Sequence, residues 1–287
     1  MSCEGRFCGR VTLADSCGSC PRGSRTNQTR ILCQPCDTPI PVNQMLYLGF
    51  MFLIALLLHF IALKVGTQNV KRRGYLLYFS AIFEIVLSVF LSILVFHPHW
   101  SLSLNACEVH SLADWYPVFY NPPSTYCTHE VVYPLYTLVF VFYAFSLVAM
   151  LLIRPVLSHY FVKPPHAASK AIYSALYFFP ILCIIHAVCA GLIFYAYPTV
   201  TIMGSGMTCA IYLAKEDITW KTAFTVPKHL VVIVTHWLLH IYGLLSFTLL
   251  QNDYRDIALL LLAPCPTLFF LMTRKFSDPL EFDYRGR

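Results

Sequence analysis

The chain has 287 residues, of which 57% are hydrophobic, 15% aromatic and only 12% charged, with a mean hydropathy of +0.62. A soluble domain carries about twice that share of charge, so the sequence reads as an all-α polytopic membrane protein set in a lipid bilayer. The net charge of +6 belongs to loops, and no basic patch is interleaved with aromatics, which excludes nucleic acid as a partner.

Residues 1–45 contain no apolar run, so the first membrane span is expected to act as the targeting signal. This segment instead carries Cys3, Cys8, Cys17, Cys20, Cys33 and Cys36. The pairs Cys17-Gly18-Ser19-Cys20 and Cys33-Gln34-Pro35-Cys36 have the look of a zinc site. Their inner spacing is shorter than the roughly 15–20 residues of a four-cysteine zinc ribbon, and they enclose Asn27-Gln28-Thr29, an acceptor for N-linked sugar. Sugar is added on the lumenal side of a membrane, where cysteines are oxidised, so a disulfide-rich lumenal module is the better reading. Cys20-Pro21-Arg22-Gly23 suits a turn, with proline presetting φ and glycine free to take a positive φ. Connectivity stays open, because six cysteines allow fifteen pairings.

A helical crossing needs about 20 mostly apolar residues. Spans are expected at about 46–65, 75–96, 131–153, 171–195, 198–214, 229–250 and 256–272, the fifth short and the seventh interrupted by Pro264 and Pro266. Loop charge orients them. Lys64, Lys71, Arg72 and Arg73 follow the first span, whereas 96–130 has no Lys or Arg. Basic residues return at Arg154, Lys163 and Lys170, at Lys215, Lys221 and Lys228, and at Arg274 and Lys275. The positive-inside rule puts these regions in the cytosol, and parity then requires seven transmembrane helices, with the N-terminus lumenal and the tail 273–287 cytosolic. Cys107 and Cys127 fall in the long outer loop, which they are expected to close on itself. Cys183, Cys189, Cys209 and Cys265 fall within spans.

Ionisable side chains inside spans are His59, Glu84, His186, His236 and His240. His236 and His240 stand four apart, on one helix face. With His186 and Glu84 they make an alternative reading possible, an intramembrane metal-dependent hydrolase. The plainer reading is interhelical hydrogen bonding, with no metal and no cofactor. Receptor and transporter readings lack support: the loop after the fourth span is too short for the usual receptor disulfide, and no internal repeat is visible. On the cytosolic face, Lys71-Arg72-Arg73 followed by Tyr75-Leu76-Leu77 has the pattern of a kinase-docking peptide. The tail offers Asp278, Glu281 and Asp283 among Phe276, Leu280 and Phe282 to a partner. No nucleotide loop or nucleophile motif is present, so no enzymatic activity is expected.

Several stretches together resemble one family: CPRGSRTN (20–27), CQPC (33–36), LYLGFM (46–51), DWYPVFYNPPSTYCTHEVVYPLYTLVFVFYAF (114–145), AIYSALYFFPIL (171–182), HWLLHIYG (236–243) and PTLFFLMTRKF (266–276). They are similar to the c-Jun N-terminal kinase-associated membrane proteins. That resemblance implies a multi-span adaptor of the endoplasmic reticulum membrane. It would recruit proteasome subunits and membrane ubiquitin ligases, with their associated unfoldase, to dispose of misfolded proteins. It also implies a link to the c-Jun N-terminal kinase.

Overall fold

The computed structural model describes residues 2–27, 29–66, 74–96, 99–120, 127, 132–161, 169–251 and 254–277. The charged run 71–73, Lys163 and the tail from 278 onward lie outside the described residues. Among the described residues, five helices are long and apolar enough to cross a membrane: α1 (Val42–Gly66), α2 (Tyr75–Val95), α4 (Leu135–Phe161), α5 (Ser169–Lys215) and α7 (Pro227–Gln251). Shorter helices α3 (Pro117–Tyr120), α6 (Trp220–Thr225) and α8 (Cys265–Ser277) complete the set. The chain forms two compact units, Met1–Ile193 and Phe194–Arg287.

The first unit begins with the cysteine-rich module, whose two small ladders are too short to bury a core. Strands β1 (Cys8–Gly9) and β2 (Gly18–Ser19) pair antiparallel, as do β3 (Ser24–Thr26) and β4 (Cys33–Pro35). The turn into β3 forms at Pro21–Ser24, where Ser24 N donates to Pro21 O (3.1 Å) and Gly23 takes φ +74°. A left-handed third residue is what such a turn demands of its glycine. Gly9 marks where the ladders touch: a Cβ there would come within 2.7 Å of Thr26 and 2.9 Å of Cys33 Sγ.

All eight cysteines outside the spans are oxidised, as Cys3–Cys17, Cys8–Cys127, Cys20–Cys33 and Cys36–Cys107. This corrects the expectation that Cys107 and Cys127 bond each other. The long loop is bound to the N-terminal module instead, because a short module without a core gains more from staples to its surroundings than from one inside the loop. The sulfurs of both Cys-x-x-Cys pairs are consumed in these bonds, leaving no thiolates for zinc.

Helix α2 packs chiefly on α4. Its buried face reads Leu77, Ser80, Ala81, Glu84, Ile85, Ser88 and Ser92, a small residue at almost every turn. Such a stripe lets a second helix come close in a membrane. Ser88 and Ser92 donate to the carbonyls of Glu84 and Ser88 (both 2.6 Å), so their hydroxyls are satisfied within the helix. Helix α4 does not stop at Ile153 but runs on through Pro155 to Phe161. A proline removes one intrahelical hydrogen bond, and the surrounding packing carries the helix past that gap.

The second unit contains the end of α5 together with α6, α7 and α8. Its core is Cys209, Leu213, Ile218, Ala223, Ile233 and Leu271, with Tyr212, Trp237 and Phe270 against it. At Gly243, α7 lies so close to α5 that a Cβ would meet Ile202 Cγ1 at 2.8 Å and Ile202 N at 3.0 Å. Two sequence expectations differ from the structure here. The break placed at Ala196–Tyr197 is helical, so 171–195 and 198–214 are parts of one 47-residue helix, although the border between the compact units falls beside it. One X–Pro step at Tyr197–Pro198 is too little to end a helix whose flanks are apolar throughout. The expected seventh span divides into a 3-10 segment (Tyr254–Leu262) and α8. Pro264 stands in the turn between them, and Pro266 in the first turn of α8, where no N–H is needed.

Candidate functional site

Within the first unit, Glu84 meets a partner that the sequence reading had placed in a loop. Arg154 lies inside α4, fully buried, and donates from Nε to Glu84 Oε1 (3.2 Å) and from Nη2 to Glu84 Oε2 (2.7 Å). Arg154 Nη2 also donates to His59 Nδ1 at 3.0 Å. A guanidinium only donates, so His59 accepts through Nδ1 and carries its proton on Nε2. Ser80 Oγ donates to Glu84 Oε1. The helices bring the three residues to one level: His59 and Arg154 stand seven residues before the ends of α1 and α4, and Glu84 nine after the start of α2. Phe178 and Phe179 of α5 close over His59 edge-on, at 5.2 and 5.4 Å between ring centres. Below this triad Leu63, Leu77 and Ala81 seal the interface.

Arg154 is therefore a correction: it is a buried counter-ion, not a topology-setting loop charge. Two signals in the sequence pointed to it. A lone carboxylate at mid-span demands a cation, and Ser146, Met150 and Arg154 recur every four residues along the buried face of α4. The Ile153–Pro155 junction had suggested a helix end.

A second constellation fastens the N-terminal module to the long loop. Asp114 is fully buried and accepts from Arg25 Nη2 (2.9 Å), His110 N (2.9 Å) and Ser111 N (3.1 Å). Arg25 Nη1 also donates to Glu108 O (2.6 Å), and Arg6 Nη2 to Ser111 Oγ (3.0 Å). The neighbouring Trp115 stands edge-on to Tyr47 at 5.6 Å and rests on Gly191, where a Cβ would fall 2.6 Å from it. Tyr116 OH donates to Val188 O (3.0 Å). Asp114, Trp115 and Tyr116 thus tie the N-terminal module, α1 and α5 together in three consecutive residues.

The remaining candidates are apportioned separately. His186 Nε2 bonds the carbonyl of Tyr136 (3.0 Å), stacks on that ring (5.2 Å) and meets Phe140 edge-on. In the second unit His236 Nδ1 bonds Val232 O of its own helix (2.8 Å), while His240 Nδ1 bonds Ser205 Oγ (2.8 Å). Trp237 Nε1 donates to Thr267 Oγ1 (2.9 Å), which also contacts Cys209 Sγ (3.3 Å). Among the described residues no three His, Cys, Asp or Glu side chains are grouped so as to hold a metal ion. Asn27 is half-buried in its turn: its Oδ1 accepts from Ile31 N (3.0 Å), while Thr29 is exposed. The second residue of that sequon, Gln28, lies outside the described residues.

A family model described as JNK1/MAPK8-associated membrane protein matches residues 3–279. The mouse and human proteins of that name are each 39% identical to this chain over 294 residues, an alignment covering 97% of it and 94% of each of them. The homolog from Caenorhabditis elegans is 30% identical over 311 residues, with the same coverage. No solved structure matches the chain.

Proposed function

The chain belongs to the JNK1/MAPK8-associated membrane protein family, and on that premise we propose that it is an adaptor of the endoplasmic reticulum membrane. In this reading the cysteine-rich module faces the lumen and the tail faces the cytosol. Cytosolic segments recruit proteasome subunits and membrane ubiquitin ligases with their unfoldase, for disposal of misfolded proteins. The name of the relatives adds association with the c-Jun N-terminal kinase. The observation that carries the proposal is the family match over 3–279 in a chain whose described residues include five helices able to cross a membrane. The four disulfides support it, since such bonds persist in oxidising compartments.

Purification of the full chain from mild detergent should bring down proteasome subunits, a membrane ubiquitin ligase and the kinase. Recovery of none of them above a control membrane protein overturns the adaptor reading. Orientation is tested apart from partners. Glycosidase should shift the mass of the wild type but not of Asn27→Gln. A sequon inserted within 216–226, a segment that holds Lys221 and lies between Lys215 and Lys228, counts the crossings of α5: left unmodified, it places the segment in the cytosol and means that α5 turns back inside the membrane, giving seven crossings. Sugar at that position would place the segment in the lumen and mean that α5 crosses once, giving five crossings.

A further inference from the structure

We propose that Cys3 and Cys17 form a thiol–disulfide exchange site that reduces disulfides in unfolded polypeptides. Of the eight disulfide-bonded cysteines, Cys17 is the one exposed to solvent, while its partner Cys3 is 4% exposed. One sulfur can be reached by a substrate, and the other is sheltered beside it. Arg10 Nε donates to Cys17 Sγ at 3.5 Å, and a neighbouring guanidinium favours the thiolate, which is the nucleophilic form. The carboxylate nearest to Cys17 in sequence is held elsewhere: Asp15 accepts from Thr12 N and Thr12 Oγ1, both at 2.7 Å, and these bonds keep its carboxyl below the usual range.

The surroundings suit cycling at this pair. Arg10 stays fixed by Arg10 N to Ile31 O (2.9 Å) and Cys33 N to Arg10 O (2.8 Å). The β1–β2 ladder, Cys8–Cys127 and Cys20–Cys33 hold the rest of the module when Cys3–Cys17 opens. The loop between the two cysteines exposes Val11 (58%) and Leu13 (71%), an apolar tip that fits the apolar stretches of an unfolded chain. The substrate class is thus a disulfide-bonded, unfolded polypeptide.

In the reducing direction the Cys17 thiolate attacks one sulfur of the substrate disulfide. A Cys17–substrate disulfide forms and one substrate thiolate leaves. The Cys3 thiolate then attacks Cys17 Sγ, forming the Cys3–Cys17 bond seen here and releasing the second substrate thiolate. Two electrons pass from the cysteine pair to the substrate, whose thiolates take up the two thiol protons. A low-molecular-weight thiol such as glutathione, itself oxidised to its disulfide, returns the pair to the dithiol. The proposal rests on the lumenal placement only for the supply of substrate.

The test uses the full-length protein in detergent, with insulin as the disulfide-bonded probe. Wild type should accelerate reduction of insulin by glutathione several-fold over Cys17→Ser. Cys3→Ser, lacking the sheltered thiol, should accumulate a Cys17–insulin adduct on non-reducing gels, absent from Cys3→Ser/Cys17→Ser. In the Cys3→Ser background, Arg10→Gln should move alkylation of Cys17 to higher pH. Insulin reduction equal to that of Cys17→Ser, with no adduct, makes the bond a structural staple only and overturns the proposal. Graded reduction of wild type provides a check that does not depend on any variant folding. Cys3 and Cys17 should be alkylated while the other three bonds persist; opening together with them overturns the proposal equally. Partner capture is unaffected by either outcome, so failure here leaves the adaptor reading to its own test.

Discussion

In the first unit a carboxylate, a guanidinium and an imidazole meet from three helices, and buried atoms of Gln44, Tyr143, Ser146 and His186 have no hydrogen-bond partner among the described residues. Arg154 Nη1 and His59 Nε2 are in the same position. In the second unit the interior polar contacts among the described residues include the neutral pairs Ser205 with His240 and Cys209 with Thr267, both buried, and half-buried Trp237 with Thr267. Among its described residues, none has a buried side-chain nitrogen or oxygen without a partner. The difference teaches where each unit is brittle. An ion pair in low dielectric fixes helix register strictly, because neither charge tolerates the loss of the other. Neutral pairs fix it loosely, and packing at Gly243 does the rest.

The sharpest way to break this comparison is to unpair the ions. Glu84→Ala or Arg154→Ala should each cost about 3–5 kcal/mol, read as thermal unfolding in detergent, while Glu84→Leu/Arg154→Leu recovers most of the loss. Single variants costing no more than a surface change would show that the pair does not lock α2 to α4. Next comes Asp114→Ala, which frees Arg25 and two backbone N–H groups and should cost about 2 kcal/mol. Its second readout is accelerated reduction of Cys36–Cys107, since that bond joins the same two segments. In the second unit Gly243→Ala should cost about 1–3 kcal/mol, because the new methyl meets the α5 backbone at Ile202. Smallest is Ser205→Ala, about 1 kcal/mol for one neutral hydrogen bond. A cost there matching that of Glu84→Ala would erase the distinction between the units.

Much of the fold was readable because membrane insertion leaves a coarse imprint. Apolar runs of the right length found α1, α2, α4, α5 and α7, and the turn at Gly23 followed from Cys-Pro-Arg-Gly. Helix ends were less readable. Pro155 and Pro198 look like breaks in one dimension, yet α4 and α5 continue through both, since neighbouring packing outweighs one missing hydrogen bond. The intramembrane triad was half visible: Glu84 and His59 stood out against apolar neighbours, whereas Arg154 was hidden by an assumed helix end.

The sequence by itself determined the membrane class, the family and the set of cysteines, because these depend on composition and local order alone. Only the tertiary structure decided which cysteines pair, which cation answers Glu84 and what Asp114 holds. Cys8–Cys127, Cys36–Cys107, Arg154–Glu84 and Arg25–Asp114 each join residues 70 or more positions apart, and no local pattern specifies a partner at that distance. Folding selects it by bringing opposite charges, or two sulfurs, to the same place.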